Sequence, residues 1–196
     1  MFYKKREKFN KLSIKIGLIF SKLPLSPNQW TLISLILAIL SFYFLINQKF
    51  LIALLFFFFT ATIDFIDGSV ARVTKKVTNL GAYLDTTIDR IVEFLMIFGL
   101  FSISYPIFIF GSQIWLLLLL FGSMMTTYVK AAAFEKQIVK KELKGGFLER
   151  SERLILLFLI ILISSYSLSY ASYLIVITAI LTNISALQRF LIAIKR

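Results

Sequence analysis

Residues 50–73 read FLIALLFFFFTATIDFIDGSVARV. Fourteen uncharged, mostly apolar residues lead without a break into Asp64, Asp67 and Arg72. A helix needs about 20 apolar residues to cross a hydrocarbon core about 30 Å thick. This stretch is long enough, yet it carries carboxylates where a purely structural span would carry none. It therefore predicts a membrane helix with work to do at one end.

The same block length recurs along the chain. Apolar stretches at about Asn28–Ile46, Phe50–Val73, Leu80–Tyr105, Ile107–Ala133, Phe147–Leu168 and Tyr170–Ile194 predict six transmembrane helices. Ahead of them Lys8, Lys11, Lys15 and Lys22 recur at helical spacing, with Phe9, Leu12, Ile16, Ile19 and Leu23 one face over. This is the pattern of an amphipathic helix lying in the membrane interface, and Pro24 and Pro27 end it. Lysines interrupt the apolar run and no small-residue cleavage site follows, so a signal peptide fits poorly. The expected fold class is an all-α integral membrane protein. Residues 1–196 are read as one membrane domain, with a basic juxtamembrane helix over 1–26 and a six-helix bundle over 28–194.

Composition agrees. The 196 residues are 59% hydrophobic, with a mean hydropathy of +0.85. Soluble domains are about 45–50% apolar, so an ordinary globular or disordered chain is excluded. There is no cysteine and no histidine, which removes thiolate chemistry and the commonest general base and transition-metal ligand. The net charge of +12 could indicate nucleic acid in a soluble protein. Here the positions favour topology, and no nucleic-acid partner is expected. Lys75, Lys76, Lys136, Lys140, Lys141, Lys144, Arg189, Lys195 and Arg196 fall with the N-terminal segment on one side. The opposite loops are nearly free of cations, so both termini are predicted to be cytoplasmic.

Asp64, Asp67, Asp85, Asp89 and Glu93 lie on the second and third predicted spans, with Arg72 and Arg90. Each ionised group at a helix centre costs about 2.5–3.5 kcal/mol on the insertion scale, so such a cluster needs compensation. Asp64, Asp67 and Ala71 share one helix face by spacing, and Gly81, Asp85 and Asp89 share another. The two helices are expected to be antiparallel neighbours whose faces converge in the cytoplasmic third of the bundle. Oxygen ligands without His or Cys point to Mg²⁺ or Mn²⁺, one ion or two. Gly68 and Gly81 permit close approach of a ligand or backbone, and Arg72 is placed to reach a phosphate.

Read in full, Asp64-x₂-Asp67-Gly68-x₂-Ala71-Arg72-x₈-Gly81-x₃-Asp85-x₃-Asp89 resembles the signature of the class I CDP-alcohol phosphatidyltransferases. Eight fixed positions match by chance on the order of 10⁻¹⁰ per start site. The resemblance implies transfer of a phosphatidyl-type group from a CDP-linked lipid to a hydroxyl of a small polar acceptor, releasing CMP. It implies Asp64, Asp67 and Asp85 as ligands of a divalent pair, with Asp89 near the metals and serving as the catalytic base. Asn28, Thr31, Asp67, Gly68, Ala71, Arg72, Thr78 and Gly81 would bind the CDP-lipid. A homodimer in the cell membrane, with its active site on the cytoplasmic side, is also implied.

Tyr128-Val129-Lys130-Ala131 and Gly146-Phe147-Leu148-Glu149-Arg150-Ser151-Glu152-Arg153 are similar to the phosphatidylinositol-phosphate and archaetidylinositol-phosphate synthase branch. In that branch Lys130, Arg150 and Arg153 would hold the phosphate of inositol 1-phosphate. Ala131-Ala132-Ala133 stands where an arginine usually follows the lysine. Glycerol 3-phosphate or another inositol-containing acceptor is the alternative. The competing class, a divalent-cation carrier or channel, would place its carboxylates at mid-bilayer and show inverted repeats, and neither is visible.

Overall fold

A computed structural model describes residues 13–139 and 147–195. Residues 13–20 are helical. They are followed by α1 (Pro27–Ile46), α2 (Phe50–Val73), α3 (Asn79–Phe101), α4 (Ser112–Glu135), α5 (Arg150–Ser164) and α6 (Leu168–Ile194). The helices stand at the six apolar blocks, and local chemistry trims their ends. Pro27 opens α1 behind a capping box, in which Ser26 and Gln29 satisfy each other's end of the first turn. Glu149 and Glu152 form the same device on α5, so that helix starts three residues later than its apolar run suggests. Between α3 and α4, residues 102–111 leave the helix, and Phe108 and Phe110 pair as an isolated bridge. The third and fourth predicted spans ran into this turn from both sides.

α1, α2, α4 and α6 are long and apolar enough to cross a membrane by length and composition. α3 is interrupted by Asp85, Asp89, Arg90 and Glu93, and α5 has only 15 residues. The exterior is apolar: Ile36, Phe58, Leu117 and Ile177 are each more than half exposed. Small and hydroxylated residues such as Ala38, Ser41, Ala53, Thr178 and Ala179 are buried between helices. This inversion of a soluble fold is what a lipid solvent selects, because packing and interhelical hydrogen bonds replace the hydrophobic drive. Ser41 Oγ donates to Ala53 O at 2.8 Å, and Asn183 Nδ2 donates to Leu118 O at 2.8 Å. The protein is an integral membrane protein.

The packing order corrects one expectation. α1 lies on α2 and on α3, α4 on α6, and α5 on α6, α2 and α3. Among the described residues α2 and α3 do not pack backbone against backbone. The helices carrying the aspartates are held apart by α1 on one side and α5 on the other, and the space between them is the site.

The leading helix also differs from its sequence pattern. Lys8, Phe9, Lys11 and Leu12 lie outside the described residues. Over 13–20, Ile16 and Phe20 pack on Trp30, Ile66 and Val70, while Ile14, Leu18 and Ile19 are exposed. The segment is therefore apolar on two faces, one toward the bundle and one outward.

Candidate active site

α2 brings Asp64 and Asp67 to the gap, and α3 brings Asp85. One carboxylate oxygen from each of the three lies within 4.8 Å of the others. Such an all-oxygen set suits a hard divalent cation. Asp67 is buried, and Thr31 from α1 fixes it by donating Oγ1 to Asp67 Oδ2 at 2.7 Å. Asp89, one turn beyond Asp85, is outside this trio and pairs with Arg150 Nη2. Arg150 projects from the first turn of α5 and also donates to both oxygens of Asp64 at 3.2 Å. It thus joins α5 to both motif helices through charge-assisted bonds.

Two cavities meet here. The smaller, about 190 Å³, is lined by Asn28, Thr31, Asp67, Gly68, Ala71, Arg72, Thr78, Gly81 and Asp85, with Lys76 at its rim. Every residue to which the resemblance gave CDP-lipid contact lines it. Thr78 caps α3 by accepting from Gly81 N at 3.0 Å. A Cβ on Gly81 would stand 3.1 Å from both Asn28 Oδ1 and Thr78 Oγ1, so glycine leaves these two side chains room at the chamber wall. The larger cavity, about 580 Å³, runs between α2 and α5 along Phe57, Phe58, Leu154, Ile155, Phe158 and Leu159. Asp67, Gly68, Arg72 and Asp85 line both. A chamber with Asn28, Thr31 and Thr78 in its lining and a groove of Phe, Leu and Ile side chains therefore share one charged wall.

The three cations considered for an acceptor phosphate are not brought together. Arg150 lines the larger cavity. Lys130 is half-buried on α4 and lines neither cavity. Arg153 is 2% exposed, lines neither, and is bound to Glu93 by Nε at 2.7 Å and Nη2 at 3.4 Å. Arg90 Nη1 reaches the same Glu93 at 2.7 Å.

The sequence reading also missed partners. It gave Glu93 no role of its own, although Glu93 follows Asp89 by four residues and Arg153 follows Arg150 by three, each about one helical turn, which could have suggested a ladder. It counted Arg189 as a topological charge. Arg189 is instead buried between α4 and α6, where its Nη1 donates to Thr126 O at 2.9 Å.

A membrane bundle with a carboxylate cluster between a polar chamber and an apolar groove defines an enzyme that works on amphipathic, charged substrates. A family model described as CDP-alcohol phosphatidyltransferase matches residues 24–185, and the chain belongs to that family. The archaetidylinositol phosphate synthase of Pyrococcus horikoshii is 31% identical over 204 aligned residues, spanning 100% of this chain and 98% of that protein. The synthase of the same description from Aeropyrum pernix is 29% identical, spanning 89% and 86%. The Mycobacterium tuberculosis phosphatidylinositol phosphate synthase, solved with CDP-DAG bound, shares the fold at a TM-score of 0.79. It is 24% identical and the match covers 93% of this chain and 94% of that one. That enzyme has also been solved with manganese and citrate. The chain is accordingly a transferase of phospholipid biosynthesis acting on a CDP-linked lipid and an alcohol.

Proposed function

We propose that the protein transfers the phosphatidyl-type group of a CDP-linked lipid to a hydroxyl of inositol 1-phosphate, releasing CMP. The observation that carries this reading is the shared wall of Asp67, Gly68, Arg72 and Asp85 between the polar chamber and the apolar groove. A CDP-lipid has the matching form, with a polar nucleotide, a charged diphosphate and apolar tails. The nucleotide end would lie along Asn28, Thr31, Ala71, Thr78 and Gly81, and the tails along the α2–α5 groove. Arg72 would meet the diphosphate between them.

Asp64, Asp67 and Asp85 would hold Mg²⁺ or Mn²⁺, with Asp89 beside them, and four carboxylates suit two ions. When bound, these ions supply charge neutralisation at the diphosphate and the leaving CMP. Asp89 takes the proton of the acceptor hydroxyl as its oxygen forms a bond to the lipid-bearing phosphorus and the bond to CMP breaks. Arg150 orients Asp89 and, of the three cations considered, is the one at a cavity. It is the leading candidate for the acceptor phosphate, with Lys130 and Arg153 adding positive charge behind it. The names of the Pyrococcus and Aeropyrum relatives support the inositol phosphate acceptor. In this reading all six helices cross the bilayer as a single domain. Both ends and the site face the cytoplasm, and the protein works as a homodimer.

The test is CMP release by purified protein with Mg²⁺ or Mn²⁺, a diacyl or diether CDP-lipid, and a panel of acceptors. Inositol 1-phosphate alone should give release above an Asp89→Asn blank. Release with glycerol 3-phosphate, free inositol or serine instead would move the acceptor assignment while leaving the reaction in place.

A further inference from the structure

We infer that Ser13, on the helical segment ahead of the bundle, is a positioning residue that sets the Arg72 guanidinium for the CDP-lipid. The inference rests on the reading of Arg72 as a diphosphate group. Arg72 is exposed and lines both cavities, and within α2 its partner is Ser69, at the longer distance of 3.3 Å. Its Nη2 donates to Ser13 Oγ at 2.8 Å and to Ser69 Oγ at 3.3 Å. The two hydroxyls are 2.9 Å apart, and Ser69 gives its own proton to Phe65 O at 2.8 Å. Ser13 must then donate to Ser69, which turns its lone pairs toward Arg72. The bonds run in one direction, from Arg72 through Ser13 and Ser69 to the α2 backbone. An alanine at 13 removes the middle link.

The segment is seated closely enough to do this. Ser13 is 7% exposed. A Cβ on Gly17 would lie 2.5 Å from Ser69 O and 2.6 Å from Val73 Cγ2, so only glycine allows the helix down onto α2 at that level. Phe20 meets Trp30 edge-on at 5.6 Å and pins the other end. The outward face, with Ile14, Leu18 and Ile19, suits lipid at the interface. Ser13 and Gly17 precede residue 24, where the family match begins, and so lie outside the Asp64–Asp89 motif.

The test uses the full chain in detergent micelles with Mn²⁺ and titrates CDP by calorimetry, alongside KM for the CDP-lipid and for inositol 1-phosphate. Ser13→Ala should weaken CDP about 3–10-fold, the net loss of one ordinary hydrogen bond, and raise the CDP-lipid KM alike. The acceptor KM should not move. In an Arg72→Ala background Ser13→Ala should cost nothing further, because its effect runs through that arginine. Gly17→Ala, which lifts the helix but keeps the hydroxyl, should reproduce the loss. If Arg72→Ala weakens CDP and Ser13→Ala does not, the clamp is wrong and the site reading stands. If neither substitution weakens CDP, both are wrong. Losses that multiply independently, or an acceptor KM that rises equally, would make Ser13 a general packing residue and overturn the inference.

Discussion

α3 carries two charged clusters one helical turn apart, and they are built on opposite principles. Around Asp85 and Asp89, beside open cavities, four carboxylates gather, and among the described residues the cation ion-paired with them is Arg150. Around Glu93, one carboxylate that is 1% exposed is held by two guanidiniums, Arg90 and Arg153, away from both cavities. The first cluster is short of positive charge and open to ligand. The second is closed, and its one carboxylate is more than cancelled. A surplus of negative charge that the protein itself leaves uncancelled marks the place where cations and a proton transfer belong, whereas a cancelled charge ties helices together.

The comparison breaks most visibly at Asp89. Asp89→Asn should lower turnover by about 10²–10⁴-fold, the range of a general base, with Mn²⁺ and CDP-lipid binding retained. Full activity would end the assignment of the base. Asp85→Asn should follow at about 10²–10³-fold, and calorimetry should show weaker Mn²⁺ binding, which Asp89→Asn does not share. In the closed cluster the sign of the experiment changes. Glu93→Gln strands the buried Arg153 and the half-buried Arg90 and should cost about 3–5 kcal/mol of stability, read as an earlier unfolding transition in detergent. Adding Arg153→Met should recover part of that loss. A Glu93→Gln protein as stable as the parent would mean the two clusters are not different in kind. The smallest effect should be Thr31→Val, which removes the bond that orients Asp67 and should weaken Mn²⁺ by about tenfold.

Both clusters were partly legible in the sequence, for reasons that differ. The six helices follow from blocks of apolar residues, a local signal, and the aspartate motif follows from spacing along two helices. The contributions of α1 and α5 do not. Nothing in the order of residues ties Thr31 to Asp67 or Arg150 to Asp64 and Asp89, because the partners are 36, 86 and 61 residues apart. Arg150 and Arg153 looked equivalent by spacing and charge. Only the packing of α5 sends one to the cavity and the other to Glu93. Ser13 and Gly17 sat in a segment whose lysine period drew attention to the membrane, while their small size, the signal of a close helix contact, went unused.

The separation of α2 from α3 has a consequence of its own. Two helices whose backbones do not pack together do not by themselves set the gap between them, so the span from Asp64 and Asp67 across to Asp85 is a caliper whose jaws are adjusted by α1 and α5. Mg²⁺ wants oxygens at about 2.0–2.1 Å and Ca²⁺ at about 2.3–2.6 Å. Choosing between ions of different radius therefore falls to residues of α1 and α5 that never meet the ion.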